Sequence, residues 1–370
     1  MTDSETILIC AGGTGGHVMP ALALADDLVA RGFNVELITD QRGLRMQKHF
    51  GSLPYHVIKA GTSGASMKDK IFGALKLGIG VIQARGLIRK LSPAIVIGFG
   101  GYPSFPAVYA AQQKGIKTVI HEQNAILGKA NKMLASKVER IALSLPTESA
   151  LPDMERIKAV VTGNPVRSDI AQLYFQPYPS LKDDGILNIF IMGGSLGAGV
   201  FSKIVPEALA RLSDEQRARL NVVQQCREED LQDVRVKYHD ARIPARLDTF
   251  FDDVPKILER THLVIGRSGA STVAELSAAG RPAIYVPYPH HADQQQLHNA
   301  ESVANEGGAW VMKEDAFKVD ALTARIEAFL EDPGLLFKAA EAARTCGRPD
   351  ATRRLGNLLT ALIEGWGRED

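Results

Sequence analysis

Two glycine-rich loops in this chain have the residue types and flanks to hold an anion: Ala11-Gly12-Gly13-Thr14-Gly15-Gly16-His17 and, in the second half, Gly193-Gly194-Ser195-Leu196-Gly197. Each interrupts an apolar run that resumes as a helix. Glycine lets backbone N–H groups close on a phosphate-sized anion, and the following helix aims its positive end at the same point. The first loop ends in His17 at the start of a predicted helix, with Pro20 suited to the first turn and Gly32 to the far cap. A neutral imidazole there can accept a proton, and a histidine that merely hydrogen-bonds the loop is the plainer alternative. His121-Glu122-Gln123-Asn124 forms another polar cluster at a strand end, for which a solvated loop is the competing reading. In Arg267-Ser268-Gly269-Ala270-Ser271-Thr272-Val273-Ala274-Glu275, the Glu275 carboxylate suits a ribose diol, although Thr272 and Glu275 also have capping-box spacing. Pro287-Tyr288-Pro289-His290-His291-Ala292-Asp293-Gln294-Gln295-Gln296 supplies amides and imidazoles fit for sugar hydroxyls. Its adjacent histidines, with no cysteine near, make a poor metal site.

Two common phosphate motifs fit badly. A dinucleotide fingerprint read from Gly13 puts Val18 at the third glycine, and one read from Gly197 meets Ser202. This counts against a nicotinamide enzyme even though Asp40 ends a strand where a ribose carboxylate would sit. Neither loop is followed by the Gly-Lys-Ser/Thr of a P-loop.

The elements that must position these groups alternate. Short, β-branched-rich runs at 6–10, 35–39, 55–59, 94–98, 117–121 and 140–144 are separated by helical stretches, and the pattern restarts at 187–192, 221–225, 246–251, 262–266 and 283–286. This predicts an α/β protein of two Rossmann-like parallel-sheet domains, with ligands at the carboxyl ends of the strands. At 370 residues two domains are the default. Proline and glycine at Thr162-Gly163-Asn164-Pro165 predict domains over 1–163 and 164–345, with residues 346–370 a C-terminal helix that could pack back on the first domain. With 43 basic and 42 acidic side chains the chain has no global field for nucleic acid. Cys10, Cys226 and Cys346 offer neither a disulfide framework nor a metal knuckle, which points to a reducing compartment. The acidic start lacks a secretory signal, and no uninterrupted apolar run reaches the roughly 18 to 20 residues that span a bilayer.

Taken together, Gly12-Gly13-Thr14-Gly15-Gly16-His17-x-x-Pro20, Gly100-Gly101-Tyr102-Pro103, His121-Glu122-Gln123-Asn124, Gly163-Asn164-Pro165-Val166-Arg167, Gly193-Gly194-Ser195 and Arg267-Ser268-Gly269-Ala270 closely resemble the MurG family of N-acetylglucosaminyltransferases, within glycosyltransferase family 28. The motifs run in order over nearly the whole chain. The resemblance implies a GT-B fold, two domains facing across a cleft, with UDP-GlcNAc (UDP-N-acetylglucosamine) as donor and lipid I, an undecaprenyl-pyrophosphoryl-MurNAc-pentapeptide, as acceptor. By similarity, Thr14, Gly15 and Gly16 line the diphosphate side and Ser195 contacts a phosphate. Arg167, the Phe251 backbone and Glu275 hold the uridine, while Asn124, Ala270, Gln295 and Gln296 meet the sugar. His17 becomes the leading general base of an inverting displacement at the anomeric carbon, with no metal and no cofactor. Leu196 departs from the glutamine usual in the family, which puts one donor contact in doubt. A related transferase acting on another glycolipid and a nucleotide-sugar epimerase of similar fold are the competing readings.

Lys68, Lys70, Lys76, Arg85, Arg89 and Lys90 are interleaved with Ile71, Phe72, Leu75, Ile79 and Ile82 at helical spacing. That pattern suits an anionic membrane surface; an ordinary helix with a buried stripe has the same periodicity, and three glycines weaken it. A lipid acceptor would place the enzyme peripherally on the cytoplasmic face of the bacterial cell membrane.

Overall fold

The computed structural model describes residues 5–61, 67–193, 198–290 and 293–365, without the side chains of 67–70 and 198. The chain divides into two compact units, Met1–Arg167 with Asp350–Asp370, and Ser168–Pro349. The division falls after Arg167 rather than after 163, so Arg167 closes the first unit.

The first unit is built on β1 (Thr6–Cys10), β2 (Asn34–Thr39), β3 (Tyr55–Val57), β4 (Ile95–Gly98), β5 (Lys117–Glu122), β6 (Arg140–Leu143) and β7 (Ala159–Val161). They form one sheet in the order β3-β2-β1-β4-β5-β6-β7, parallel throughout, with Ile7 beside both Val35 and Ile95. Ile7 and Ile9 enter one hydrophobic cluster, Leu8 and Cys10 the other. Helices cover both faces, so the strands are continuous apolar runs rather than alternating ones.

The second unit repeats the plan with β8 (Leu187–Met192), β9 (Leu220–Gln225), β10 (Ala245–Asp248), β11 (Leu263–Gly266), β12 (Ala283–Tyr285) and β13 (Ala309–Val311), ordered β10-β9-β8-β11-β12-β13 and parallel. In each sheet the strand order reverses beside the first strand, between β1 and β4 and between β8 and β11. Those are the crevices where doubly wound folds bind ligands.

Several local expectations change. β7 and β13, three residues each, are strands that the sequence pattern does not predict, although β3 and β12 are as short and are predicted. The first helix runs Gly15–Ala30, so Pro20 lies inside it rather than in its first turn; Gly15 and Gly16 are already helical. The 67–91 stretch is one helix, Met67–Leu91, despite its glycines. Gly80 explains one of them: a Cβ there would stand 2.0 Å from the Lys59 carbonyl oxygen and 3.1 Å from Pro106. Ile71–Leu91 is also long and apolar enough to cross a membrane by length and composition, with mean hydropathy 1.5, although charged residues interrupt its apolar runs. Within the unit, however, Ala84 and Ile88 on this helix join the core with the Gly101–Gln112 helix.

The last helix, Ala351–Glu364, returns to the first unit after the whole of the second. Its Leu355, Leu359 and Leu362 enter the cluster of the Gly15–Ala30 helix and β1. Arg31 donates to Asn357 Oδ1 at 2.7 Å and to the Arg353 carbonyl at 3.2 Å, and Lys117 Nζ donates to the Leu362 carbonyl. Leu355 is fully buried. Leu355→Ala should therefore cost about 2–5 kcal/mol of first-unit stability, seen as a lower denaturant midpoint; an unchanged midpoint would mean that the helix is not part of that core.

Candidate active site

In the first unit the polar groups gather past the carboxyl ends of β1, β4, β5 and β7. Thr14 is the exposed N-cap of the Gly15–Ala30 helix, and Gly15, Gly16 and His17 form its first turn. Asp40, just past β2, is buried and fully used in bracing this loop. Its Oδ1 accepts from the Gly13 N–H at 2.8 Å and the Gly43 N–H at 2.9 Å, and its Oδ2 from Arg42 Nε at 3.1 Å. A carboxylate so occupied is a structural brace, which removes the ribose role a dinucleotide site would need.

His17 is half-buried, with Nδ1 3.0 Å from Gln123 Oε1. Gln123 Nε2 is 2.9 Å from His121 Nδ1 and 3.3 Å from the His121 carbonyl, and His121 Nε2 is 3.0 Å from the Gly163 carbonyl. Glu122 points elsewhere and accepts at both oxygens: Oε1 from the Asn124 N–H and side-chain amide, Oε2 from the Gly128 N–H and Asn131 Nδ2. Asn124 is thus half-buried and fixed by its neighbour. The 121–124 cluster is an ordered core of hydrogen bonds rather than a solvated loop.

In the second unit, the loop after β11 leads into the helix Ala270–Ala278, whose N-cap is Gly269. Thr272 is the third residue of that helix and makes no cap, so the capping-box explanation of Glu275 does not hold. Glu275 is half-buried. Arg267 is buried, donating to the Val286 and Pro287 carbonyls, pairing with Glu314 at 2.6 Å and lying over the Tyr288 ring. Ser268 donates to the Gln296 carbonyl at 2.7 Å, while Gln296 Oε1 accepts from the Tyr288 N–H at 2.9 Å. Gln295 Nε2 donates to Asp293 Oδ2 at 2.7 Å. Ala270, Gln295 and Gln296 therefore stand on two helix N-termini, with Ser268 bonded to the second of them. Phe251 is buried edge-on to Phe190. Ser195 and Leu196 lie outside the described residues, as do the side chains of Lys68 and Lys70. Among the described residues no group of three or more His, Cys, Asp or Glu is arranged to hold a metal.

The amino-terminal half, residues 7–143, matches the model of the glycosyltransferase family 28 N-terminal domain, and residues 188–355 match that of the family 28 C-terminal domain. The chain belongs to glycosyltransferase family 28. A family 28 relative from Rhodospirillum centenum, UDP-N-acetylglucosamine--N-acetylmuramyl-(pentapeptide) pyrophosphoryl-undecaprenol N-acetylglucosamine transferase, is 50% identical over 98% of this chain and 96% of its own. The crystal structure of Acinetobacter baumannii MurG superposes with a TM-score of 0.77 at 29% identity, covering 96% of this chain and 99% of that one. A UDP-GlcNAc 2-epimerase from Neisseria meningitidis shares the fold alone, with TM-score 0.66 and 13% identity over 97% of this chain and 100% of that one.

Buried His121 gives the first unit a pH signature. His121 is fully buried, and burial pushes its pKa down to about 4, with nearby His17 adding to the effect and the Gly163 hydrogen bond opposing it. His262 is lowered in the same direction, again by burial first. An unfolded histidine protonates near 6.5, so below that pH the unfolded chain binds protons the native state refuses. Stability present above pH 6.5 should fall as pH drops toward 4, by up to about 1.4 kcal/mol per pH unit for His121. Denaturant titrations at pH 7, 6 and 5 should show this slope, shallower in His121→Gln; equal slopes would contradict it.

Proposed function

We propose that this chain moves N-acetylglucosamine from UDP-GlcNAc to the C4 hydroxyl of the MurNAc unit of lipid I, giving lipid II for peptidoglycan. The 50% identity over nearly the whole chain to a transferase of that name carries the reading. In it, the second unit binds the donor. Ser195 and the backbone around it take the diphosphate, Glu275 and the Phe251 backbone the uridine, and Ala270, Gln295 and Gln296 the sugar. From the first unit, Thr14, Gly15, Gly16 and Asn124 complete the donor contacts, as does Arg167 at its last residue.

The chemistry follows from these groups. The acceptor hydroxyl attacks the anomeric carbon from the face opposite UDP, the C–O bond to the diphosphate breaks, and configuration inverts. His17 takes the hydroxyl proton as the new bond forms. Charge developing on the departing UDP is met by backbone N–H groups at helix N-termini, so the step needs no divalent cation. His17→Ala should lower kcat by about a hundredfold or more with a smaller change in donor KM, and wild-type UDP release with a lipid I analogue should persist in chelator. Full turnover in His17→Ala would remove the base assignment, and loss of activity in chelator the metal-free one.

The Met67–Leu91 helix supports a peripheral place on the cytoplasmic face of the membrane. Its inner face is in the core, whereas Ile71, Phe72, Leu75 and Ile82 are each 60–69% exposed, beside exposed Lys76, Arg85, Arg89 and Lys90; Ile79 is half-buried. Apolar side chains ringed by cations suit an anionic lipid surface. Reversing Lys68, Lys70 and Lys76 to glutamate should cut cosedimentation with anionic vesicles while leaving neutral vesicles unaffected. Unchanged binding would move the contact elsewhere.

A further inference from the structure

We propose that Gln123 and His121 are positioning residues that hold the His17 imidazole in its Nδ1–H tautomer, so that the lone pair that takes the acceptor proton is always on Nε2. The inference deepens the reading of His17 as general base and rests on it.

Two backbone carbonyls, which can only accept, fix the order of donors and acceptors. Gly163 O lies 3.0 Å from His121 Nε2, so that nitrogen carries a hydrogen. His121 is fully buried, and burial pushes its pKa down to about 4; the ring is neutral near pH 7. A neutral imidazole has one N–H, so His121 Nδ1 is an acceptor. The second anchor is the His121 carbonyl. One end of the Gln123 amide faces both that oxygen at 3.3 Å and His121 Nδ1 at 2.9 Å, two acceptors, and must be the NH2 end. The other end is then Oε1, which can only accept, and it lies 3.0 Å from His17 Nδ1. His17 Nδ1 therefore carries the hydrogen, and Nε2 is left bare.

The chain of donors is held out of water, because Gln123 is 3% exposed and His121 0%. No solvent exchange competes with this order. The backbone also clears the edge of the ring that matters. A Cβ at Gly101 would come within 3.4 Å of His17 Nε2, and one at Gly100 within 3.6 Å of Cε1; both residues have the positive φ, 68° and 79°, that glycine adopts freely. A carboxylate would fix the same tautomer, as in the catalytic triads. A neutral amide does so without adding negative charge beside a reaction that expels a diphosphate.

Long-range 1H–15N spectra of full-length protein labelled with 15N-histidine, with His17 assigned from the signals lost in His17→Ala, should show His17 protonated on Nδ1 and His121 on Nε2. A His17 protonated on Nε2 overturns the proposal. Gln123→Met keeps the size of the side chain and removes its hydrogen bonds to both histidines. It should lower kcat about tenfold, leave the KM for UDP-GlcNAc within about twofold, and move the His17 signals toward a mixture of tautomers. Wild-type kcat with mixed tautomers would overturn the positioning role. Full turnover in His17→Ala would instead overturn the base reading, and the role with it, whichever tautomer the wild-type spectra show.

Discussion

A parallel strand covered by helices on both faces has little room for a polar side chain along its length. This constraint organises both units. Ile7 to Cys10 and Leu263 to Ile265 are fully buried, and the groups capable of chemistry gather at the carboxyl ends, on the last residues of β5, in the loops and in the helix turns that follow. The sheet reverses its strand order beside β1 and beside β8, so the loops there diverge and leave space between them. Polar groups then crowd the one rim where the backbone stops pairing. Asp40, Glu122 and Arg267 spend their hydrogen-bonding capacity on loop backbone, which keeps that rim rigid.

The two units meet this constraint differently. In the first, a buried carboxylate braces the glycine loop and a histidine is turned by an amide. In the second, the work falls to a buried guanidinium, Arg267, and to residues at helix N-termini. Such a division matches the chemistry expected of each. In the proposed reaction one unit manages a proton, and the other a charged leaving group.

The alternation of sheets and helices was legible because runs such as Leu263–Gly266 are apolar without interruption, as two-sided burial favours. β7 and β13 were not: both are last strands at an edge of their sheets, and three residues carry little period. The Met67–Leu91 helix was harder to read because its glycines look like breakers. Their use shows only when Lys59 and Pro106 come against Gly80. In the candidate site, glycines and His17 stood out by type and spacing. What Gln123 and His121 do did not, because it depends on bonds spanning 106 and 42 positions and on a carbonyl at Gly163, and a backbone oxygen has no signature in sequence. The start of the Gly15–Ala30 helix was misplaced for a related reason: Pro20 favours a first turn, but the paired glycines had already entered the helix.

The return of Ala351–Glu364 to the first unit has a consequence for how the molecule is made. Residues 168–349 are continuous and can close their own core as soon as they leave the ribosome. The half that emerges first cannot, because Leu355, Leu359 and Leu362 follow the whole of the second unit. Until then the Gly15–Ala30 helix, with His17 in its first turn, has an uncovered apolar face. The part of the polypeptide made first thus completes its core only after the second unit has been made.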